Sequence, residues 1–405
     1  MRIAHIVRRY SLAEWGGTET VVRQTVAEQL RRGHEPVVFA TEALQPADPA
    51  APRPPCLRTF GYFYPYWPMP ATDRLALDKK GGSPYAPSLF RAVREFSPEL
   101  IHIHAGGRLA VAAVRLAERL GVPSVMSLHG GAAVVPQTEI DEMLRPLKGK
   151  FPYGGILDRL LGMRFDPLTR VGAIVCISRT EERRLGELYP GRRVRYVPNG
   201  VADAARVGRR PDAAGRNVLC VSRIDYQKNQ LALVEALSRL PMGTRLTLVG
   251  PVTAAWYRDK ILARVDELGL RDRFELIPGL LPGSAELEAE FAKADVFVLP
   301  SVHEPFGIAA LEALKRGVPL VAANVGGLPD FVADGENGLL FDPSDPAALA
   351  AAIGRVFGDR PLADRMISAG LETSARFSWP RVIDDLEKVY GEVSRTAMSQ
   401  LKGVS

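Results

Sequence analysis

The sequence has few of the residues that would build a disulfide scaffold, a zinc site or a membrane span. Its 405 residues include only three cysteines, Cys56, Cys176 and Cys220, which are odd in number and far apart. Neither a disulfide framework nor a zinc-binding spacing is therefore expected. The longest uncharged run, residues 120–138, is broken by several Gly and Pro residues and so predicts no membrane helix. Two arginines interrupt the short apolar start, and we expect no secretory signal peptide.

Motifs for two common classes of partner are also missing. No Gly-x-Gly-x-x-Gly follows a predicted strand, which argues against a nicotinamide-dependent dehydrogenase. No zinc finger, RNA-binding aromatic signature or Lys/Arg block accompanies the net charge of +6, so no nucleic-acid partner is expected. The charge is unevenly distributed, with +9 over residues 1–200 and −3 over residues 201–405. This asymmetry favours two domains with different partners.

The apolar pattern alternates between strands and helices in both halves of the chain. In the first half, strand 2–7, a glycine turn, helix 18–32 and strand 37–40 form a βαβ unit, which predicts a parallel sheet. A linker-like stretch at 202–216 separates the halves. The second half repeats the rhythm, with strands at 217–221, 245–249, 274–278, 296–299 and 319–322 and helices at 229–240, 255–268, 284–293 and 346–357. We predict two doubly wound α/β domains, 1–200 and 201–375, and a helical segment, 376–405, that returns to the first domain.

Residues 45–72 interrupt this rhythm with prolines and aromatics. Because no helix or central strand tolerates that composition, we predict a long irregular loop. Its aromatic part, residues 59–67, is called the aromatic insert below.

The segment 301–314 combines two carboxylates with a predicted helix start. Glu304 follows strand 296–299, Pro305 suits a first helical turn, and Glu312 lies about 12 Å further along the helix axis. Ligands of open α/β sheets bind at the carboxyl ends of strands, and free N–H groups there attract anions. The alternative is a helix-capping Glu and a surface Glu. The expected N–H donors belong to Phe306, Gly307 and Ile308.

These residues resemble the Glu-x7-Glu signature of retaining glycosyltransferases of family 4, also called glycosyl transferases group 1, which have the GT-B fold. Further segments resemble the family in order along residues 1 to about 390. They are Gly16-Gly17, the strand and turn at 197–201, Arg223 with Lys228, and the loops at 326–329 and 334–339. The resemblance implies two Rossmann-like domains facing across a cleft, and transfer of a sugar from a UDP-, GDP- or ADP-sugar.

The resemblance also implies roles for residues of the second domain. Arg223 and Lys228 would neutralise the donor's diphosphate, although their spacing alone favours two solvated surface charges. Glu312 would accept hydrogen bonds from the ribose hydroxyls. Glu304, together with the N–H groups of residues 306–308, would contact the transferred sugar.

In the first domain, Gly16 and Gly17 would let the backbone approach the donor, or they form an ordinary βα turn. His129 follows a short strand and precedes two glycines, where the family has a histidine near the transferred sugar. The alternative is a structural histidine.

Neither a metal nor a cofactor is expected. No Asp-x-Asp occurs in the sequence, so the diphosphate site of the metal-dependent glycosyltransferase fold is missing, and Arg223 and Lys228 would replace the metal. His102 and His104 lie on one face of a strand and suit a metal pair, but no third ligand is apparent. Sheet-end packing or acceptor contact is the favoured interpretation for them.

Three questions stay open at this level. A GT-B-fold epimerase and a non-catalytic nucleotide-sugar-binding protein are alternative functions. The acceptor is expected to be a glycan or lipid-linked molecule of cell-envelope polysaccharide synthesis, bound by a cytoplasmic enzyme at an anionic membrane surface. A core-facing helix with a solvated basic face explains the same basic and apolar stretch, residues 145–170. The aromatic insert, with Trp67, could stack on acceptor sugars.

Overall fold

The chain forms two compact units. The structure, a computed structural model, describes residues 1–10, 17–44, 54, 56–130, 144–207, 216–281 and 283–402. Unit 1 comprises Met1–Val197 and Val382–Ser405, and unit 2 comprises Pro198–Arg381. The divisions fall close to the predicted boundaries after residues 200 and 375. The C-terminal segment belongs to unit 1 from Val382 onward.

Unit 1 is built on a parallel sheet. The central strands of this sheet are short apolar runs with little or no exposed surface, as expected where both faces of a sheet are covered. Unit 1 has nine strands among the residues that the structure describes. They are β1 (Arg2–Ile6), β2 (Glu35–Thr41), β3 (Leu57–Phe60), β4 (Tyr66–Trp67), β5 (Leu100–Ile103), β6 (Ser124–Ser127), β7 (Phe151–Pro152), β8 (Ala173–Cys176) and β9 (Val194–Tyr196). Seven of them pair in parallel in the order β3-β2-β1-β5-β6-β8-β9, and β4 pairs with β7 antiparallel.

The helices of unit 1 follow local start and stop signals. Ser178 accepts the N–H of Glu181 and so caps one helix start, while Gly121, with φ +67°, ends another in the left-handed region. The helices are α1 (Gly17–Arg31), α2 (Ala71–Lys80), α3 (Pro87–Phe96), α4 (Gly107–Leu120), α5 (Gly154–Leu160) and α6 (Arg179–Leu188).

Unit 2 repeats the architecture with a second parallel sheet. Its strands are β10 (Arg216–Val221), β11 (Thr244–Val249), β12 (Phe274–Ile277), β13 (Val296–Leu299), β14 (Leu320–Ala323) and β15 (Leu339–Phe341), in the order β12-β11-β10-β13-β14-β15. The predicted α/β class with two parallel sheets is confirmed. The predicted bounds of β13 match those of the structure, and those of its neighbours differ by one residue.

Polar caps also define the helices of unit 2. Asp345 accepts the N–H groups of Ala347 and Ala348, and Pro346 occupies the first turn of the helix that follows. The helices are α7 (Gln230–Arg239), α8 (Ala255–Glu267), α9 (Ala285–Lys293), α10 (Ile308–Arg316), α11 (Pro346–Gly358), α12 (Arg360–Ala375) and α13 (Trp379–Lys402), the last continuing into unit 1.

The prediction of an irregular loop over 45–72 is wrong for part of that range. Residues 57–60 form β3, which lies at the edge of the sheet, where one side of a strand makes no ladder hydrogen bonds and nearby prolines are tolerated. Within the aromatic insert, Tyr62 and Tyr64 are buried and donate hydrogen bonds of 2.6 and 2.9 Å to the carboxylate of Asp78. Asp78 therefore fastens the insert to α2.

Replacing Asp78 with alanine should destabilise unit 1. The change leaves the two buried tyrosine hydroxyls without their acceptor, a loss of roughly 2–4 kcal/mol for two hydrogen bonds to a charged group. Calorimetry should show a fall in Tm of several degrees. Glu187→Ala is the control, because that side chain is 68% exposed and, among the residues that the structure describes, forms an ion pair with Arg184 alone, so its removal should leave Tm nearly unchanged. Equal Tm values for the two variants would contradict the assignment.

Candidate functional site

The turn after β13 is shaped by a glycine in the left-handed region. Gly307 has φ +98° and is the N-cap residue of α10, which begins at Ile308. The prediction that Pro305 lies in the first helical turn is therefore wrong, because the chain bends at Gly307 before the helix starts. A Cβ at this position would also lie 2.6 Å from Leu328. Glycine is thus required both by conformation and by space.

Glu304 is a buried carboxylate with an ionic partner. Lys228 Nζ lies 2.7 Å from Glu304 Oε2, and Ser301 Oγ donates a 3.1 Å hydrogen bond to the same oxygen. No side chain caps the start of α10 by a hydrogen bond, so Glu304 does not play the capping role that the sequence left open. Ser301 was not anticipated, since a serine at a strand end carries no distinguishing signal.

A glycine pair allows a second loop to approach this turn closely. The N–H of Gly327 donates a 3.1 Å hydrogen bond to the carbonyl of Glu304. A Cβ at Gly326 would lie 1.9 Å from that same carbonyl oxygen, and one at Gly327 would lie 2.5 Å from the carbonyl of Pro305. Both positions exclude any larger residue, so the loop at 326–329 supports the Glu304 turn from behind.

Three backbone donors remain available at the start of α10. The N–H groups of Phe306, Gly307 and Ile308 make no hydrogen bond to other described residues. The Phe306 ring is buried and packs against the rings of Phe331 and Phe377 at centroid distances of 5.5 and 6.1 Å. This packing fixes the turn, and the unpaired N–H groups at the helix start form a site suited to an anion or a polar oxygen.

Glu312 lies on α10 and makes no side-chain hydrogen bond to the described residues. Burial raises the pKa of its carboxyl above the ordinary value, opposed by the positive charge of Arg316 and reinforced by the negative charge of Glu288. Arg316 is itself held by Glu288, its Nε lying 2.9 Å from Glu288 Oε2. Glu312 is half-buried, and its carboxyl has no partner of its own among these residues, as expected of an acceptor for ligand hydroxyls.

The two predicted cations follow β10, the neighbour of β13. Lys228 ends a 3-10 turn, Tyr226–Lys228, in which the Asp225 side chain accepts the N–H of Gln227. Arg223 is exposed, and its side chain has no hydrogen bond to the described residues. Ser222 accepts a 3.0 Å hydrogen bond from Gln230. Unit 2 thus brings Lys228 directly onto Glu304 and leaves Arg223 free at the same edge of the sheet.

In unit 1, His129 is part of a buried cluster of histidines. Its Nε2 lies 2.8 Å from Nδ1 of His104, and the two rings stack with centroids 5.1 Å apart. Nδ1 of His129 is buried and has no partner among the described residues. Burial lowers the pKa of His129 to about 4, so the ring is neutral at pH 7.

Gly17 begins α1, where a Cβ would meet no described atom within 4 Å, and Gly16 lies outside the described residues.

The interpretation that His102 and His104 have no third potential metal ligand is wrong. His5 lies opposite His102 in the β1–β5 register, and ligand atoms of His5, His102 and His104 all lie within 4.8 Å of one another. The sequence signal was available in principle, because adjacent parallel strands place paired residues on the same face. All three side chains are buried.

In the basic and apolar stretch of unit 1, residues 145–170, some of the cations already have an ionic partner. Lys150 pairs with Asp73 at 2.5 Å, and Arg170 pairs with Glu118 at 2.6 Å. The core-facing alternative is wrong for α5, where several large apolar side chains face solvent, although Leu147, Phe165 and Leu168 of the same stretch pack on the core of unit 1. The exposed apolar residues of this surface, called the apolar patch below, are Trp67, Phe151, Ile156, Leu160 and Leu161.

Two family descriptions match the chain, and together they span most of it. The family described as Glycosyl transferases group 1 matches residues 206–373, and the one described as Glycosyltransferase Family 4 matches residues 15–204.

Curated relatives agree with these families. A D-inositol 3-phosphate glycosyltransferase of Mycolicibacterium smegmatis is 30% identical over 394 residues, which cover 93% of this chain and 86% of the relative. A glycogen synthase of Mycobacterium tuberculosis is 31% identical over 315 residues, covering 73% of this chain and 69% of the relative.

Solved structures share the fold. The sucrose-phosphate synthase of Thermosynechococcus elongatus superposes with a TM-score of 0.71 at 25% identity and full coverage of both chains. HepE of Anabaena, solved with UDP-glucose, superposes with a TM-score of 0.67 at 20% identity, covering 98% of this chain and 100% of that one. The two sheets, the turn that carries Glu304 and the relatives lead to one conclusion: the chain is a glycosyltransferase that belongs to family 4, group 1, and has the GT-B fold.

Proposed function

We propose that this glycosyltransferase moves a sugar from a nucleotide-diphosphate donor to a glycan or lipid-linked acceptor with retention of anomeric configuration. The observation that carries the proposal is the buried Lys228–Glu304 pair beside the unpaired N–H groups of Phe306, Gly307 and Ile308. A cation next to free backbone donors suits a diphosphate, and a carboxylate next to both suits sugar hydroxyls. HepE, which shares the fold, binds UDP-glucose, a donor of this class.

The proposed step needs positioning and charge stabilisation more than a general base. The bond between the anomeric carbon and the phosphate oxygen breaks, and its electron pair stays with the diphosphate. The acceptor oxygen forms the new bond on the same face of the sugar, and its proton passes to the departing phosphate oxygen. Lys228 and Arg223 would stabilise the charge that develops on the diphosphate. We propose that the reaction requires no metal, since the sequence has no Asp-x-Asp and provides these cations instead.

Replacing Lys228 with alanine should lower kcat/KM for sugar transfer by roughly a hundredfold. The change removes a charge-assisted contact to the diphosphate and leaves Glu304 buried without its partner, two losses of a few kcal/mol at most in total. Transfer assays with UDP-, GDP- and ADP-sugars would measure the effect. Lys293→Ala is the control, because Lys293 lies near the start of β10, at the opposite edge of the sheet. Full activity of Lys228→Ala would overturn the site assignment.

The role of Glu312 predicts a pH-dependent affinity for nucleoside diphosphates. Its carboxyl has a raised pKa and takes up a proton as pH falls through that value. Because a carboxylate accepts hydrogen bonds from ribose hydroxyls more strongly than a neutral acid does, affinity weakens in that range. Glu312→Gln is neutral at every pH. The ratio of wild-type to Glu312→Gln affinity for UDP, GDP or ADP, measured by calorimetry, should therefore decrease toward acid pH, whereas a constant ratio would contradict the role.

We propose that unit 1, which would bind the acceptor, rests on an anionic membrane surface at the cytoplasmic face. The enzyme would act there in cell-envelope polysaccharide or glycoconjugate synthesis. The apolar patch of unit 1 has exposed basic neighbours in Arg145, Lys148, Arg159 and Arg164. Apolar side chains rimmed by cations suit the headgroup region of an anionic bilayer. None of the helices that the structure describes is both long and apolar enough to cross a membrane.

Within the aromatic insert, Trp67 is exposed and is the residue proposed to stack on acceptor sugars.

A double variant, Phe151→Ser with Leu160→Ser, should weaken binding to anionic vesicles several-fold. The two side chains are 63% and 77% exposed, so their loss removes apolar surface without disturbing the core. Flotation with phosphatidylglycerol-containing and purely phosphatidylcholine vesicles would measure the change. Met242→Ser is the control, since Met242 is 82% exposed but lies in unit 2. Equal flotation of the wild-type chain with both vesicle types would reject the membrane proposal.

A further inference from the structure

A continuous chain of hydrogen bonds crosses the interior of unit 1 and ends at His129. Gln29 Oε1 lies 2.8 Å from His5 Nε2, and His5 Nδ1 lies 3.0 Å from His104 Nε2. His104 Nδ1 in turn lies 2.8 Å from His129 Nε2. Gln29 and His5 are completely buried. The chain therefore connects α1 and β1 with the residues that follow β5 and β6.

The amide of Gln29 gives this chain a direction. Its Nε2 donates to the hydroxyl of Tyr390 at 3.3 Å, so its Oε1, which only accepts, faces His5. In this arrangement the Tyr390 hydroxyl donates a hydrogen bond to Nδ1 of His102, 2.7 Å away. His102 Nε2 then donates to Ser127 Oγ, 2.7 Å away. With this orientation of the Gln29 amide, each donor in the branch meets one acceptor.

The three histidines that form this chain of hydrogen bonds, His5, His104 and His129, are neutral at pH 7. Burial lowers the pKa of His5 and of His129 to about 4, and burial together with the neighbouring imidazoles lowers the pKa of His104 well below its ordinary value. A neutral imidazole has one N–H and one lone pair. His5 must therefore donate from Nε2 to Gln29 and accept at Nδ1. His104 then donates from Nε2 and accepts at Nδ1, and the donor to it is Nε2 of His129.

We propose that Gln29, His5 and His104 are positioning residues that hold His129 in its Nε2-protonated tautomer, so that Nδ1 offers a lone pair to a hydroxyl of the substrate. Nδ1 of His129 is buried and has no partner among the described residues. A buried acceptor without a donor is costly, and a ligand hydroxyl would relieve that cost. The identity of the ligand, a sugar hydroxyl, rests on the proposed function, whereas the tautomer does not.

A metal ion is the competing explanation for the cluster of His5, His102 and His104. Each ring nitrogen of these three side chains already has a hydrogen-bond partner within the described residues. An ion bound by all three side chains would have to displace at least one of these hydrogen bonds from each ring. The complete set of hydrogen bonds favours the positioning chain.

The tautomer can be measured directly by NMR of the full chain labelled with nitrogen-15 histidine. The sequence has six histidines, so the His129 signals can be assigned by comparison with His129→Asn. We expect Nε2 of His129 to be protonated and Nδ1 to be unprotonated at pH 7. Protonation of Nδ1 instead, or of both nitrogens, overturns the proposal. So does a stoichiometric metal ion in the purified protein whose removal changes the histidine signals.

Substitutions of Gln29 separate positioning from mere packing. Gln29→Met removes the acceptor, so His129 should become a mixture of tautomers and kcat/KM for transfer should fall about tenfold, the value of one hydrogen bond. Gln29→Glu restores an acceptor for His5 Nε2 and should restore the single tautomer and most of the activity. Ser124→Ala is the control. It removes a buried hydroxyl of β6 that is not part of this chain of hydrogen bonds, and it should change neither the tautomer of His129 nor kcat/KM. A single Nε2 tautomer that persists in Gln29→Met contradicts the role of Gln29.

The two proposals fail in different ways. If no nucleotide sugar supports transfer but His129 has the expected tautomer, the proposed function is wrong and the positioning chain stands. If transfer proceeds and His129 is protonated at Nδ1, the function stands and the positioning chain is wrong.

Discussion

Parallel strand pairing is the constraint on which both candidate sites depend. It brings the carboxyl ends of neighbouring strands to one edge of a sheet, whatever their separation in sequence. In unit 2, β10 pairs with β13, so Lys228 after one strand reaches Glu304 after the other across 76 positions. In unit 1, β1 pairs with β5, so His5 lies opposite His102. Neither contact needs the nearby sequence to encode it once the strand order is fixed.

The Lys228–Glu304 pair has to be compatible with both the ligand-free and the ligand-bound protein. Separating a buried ion pair costs several kcal/mol, so a ligand that drew Lys228 fully away from Glu304 would lose much of its own binding energy. An ammonium group has three protons, however, and Glu304 uses one of them. Lys228 can therefore keep its carboxylate and donate the remaining protons to phosphate oxygens. The ion pair then orients the lysine before the ligand arrives, and Ser301 holds the carboxylate in place.

The sequence predicted the repeating elements better than the turns between them. The periodicity of apolar residues placed β13 correctly, because a buried strand has an unbroken apolar signal. It missed the bend at Gly307, where a positive φ rather than a side chain sets the helix start. It also missed β3, because an edge strand tolerates the prolines that excluded a central one. The chain of hydrogen bonds from Gln29 to His129 could not be predicted from spacing, since its members come from four separate segments that only strand order and helix packing bring together.

Units 1 and 2 bury polar groups by opposite means. Unit 2 pairs full charges, which satisfy each other whether or not a ligand is present. Unit 1 links neutral imidazoles, which avoids the cost of taking charge out of water but imposes a different condition. Each neutral ring has one N–H donor and one lone-pair acceptor. A chain of hydrogen bonds that starts at an acceptor, Gln29 Oε1, therefore has to end at an acceptor that no member of the chain uses. Nδ1 of His129, which has no partner in the part of the chain that the structure describes, is that end. It is therefore a consequence of the whole chain rather than a local packing defect, and only a donor from outside the chain can satisfy it.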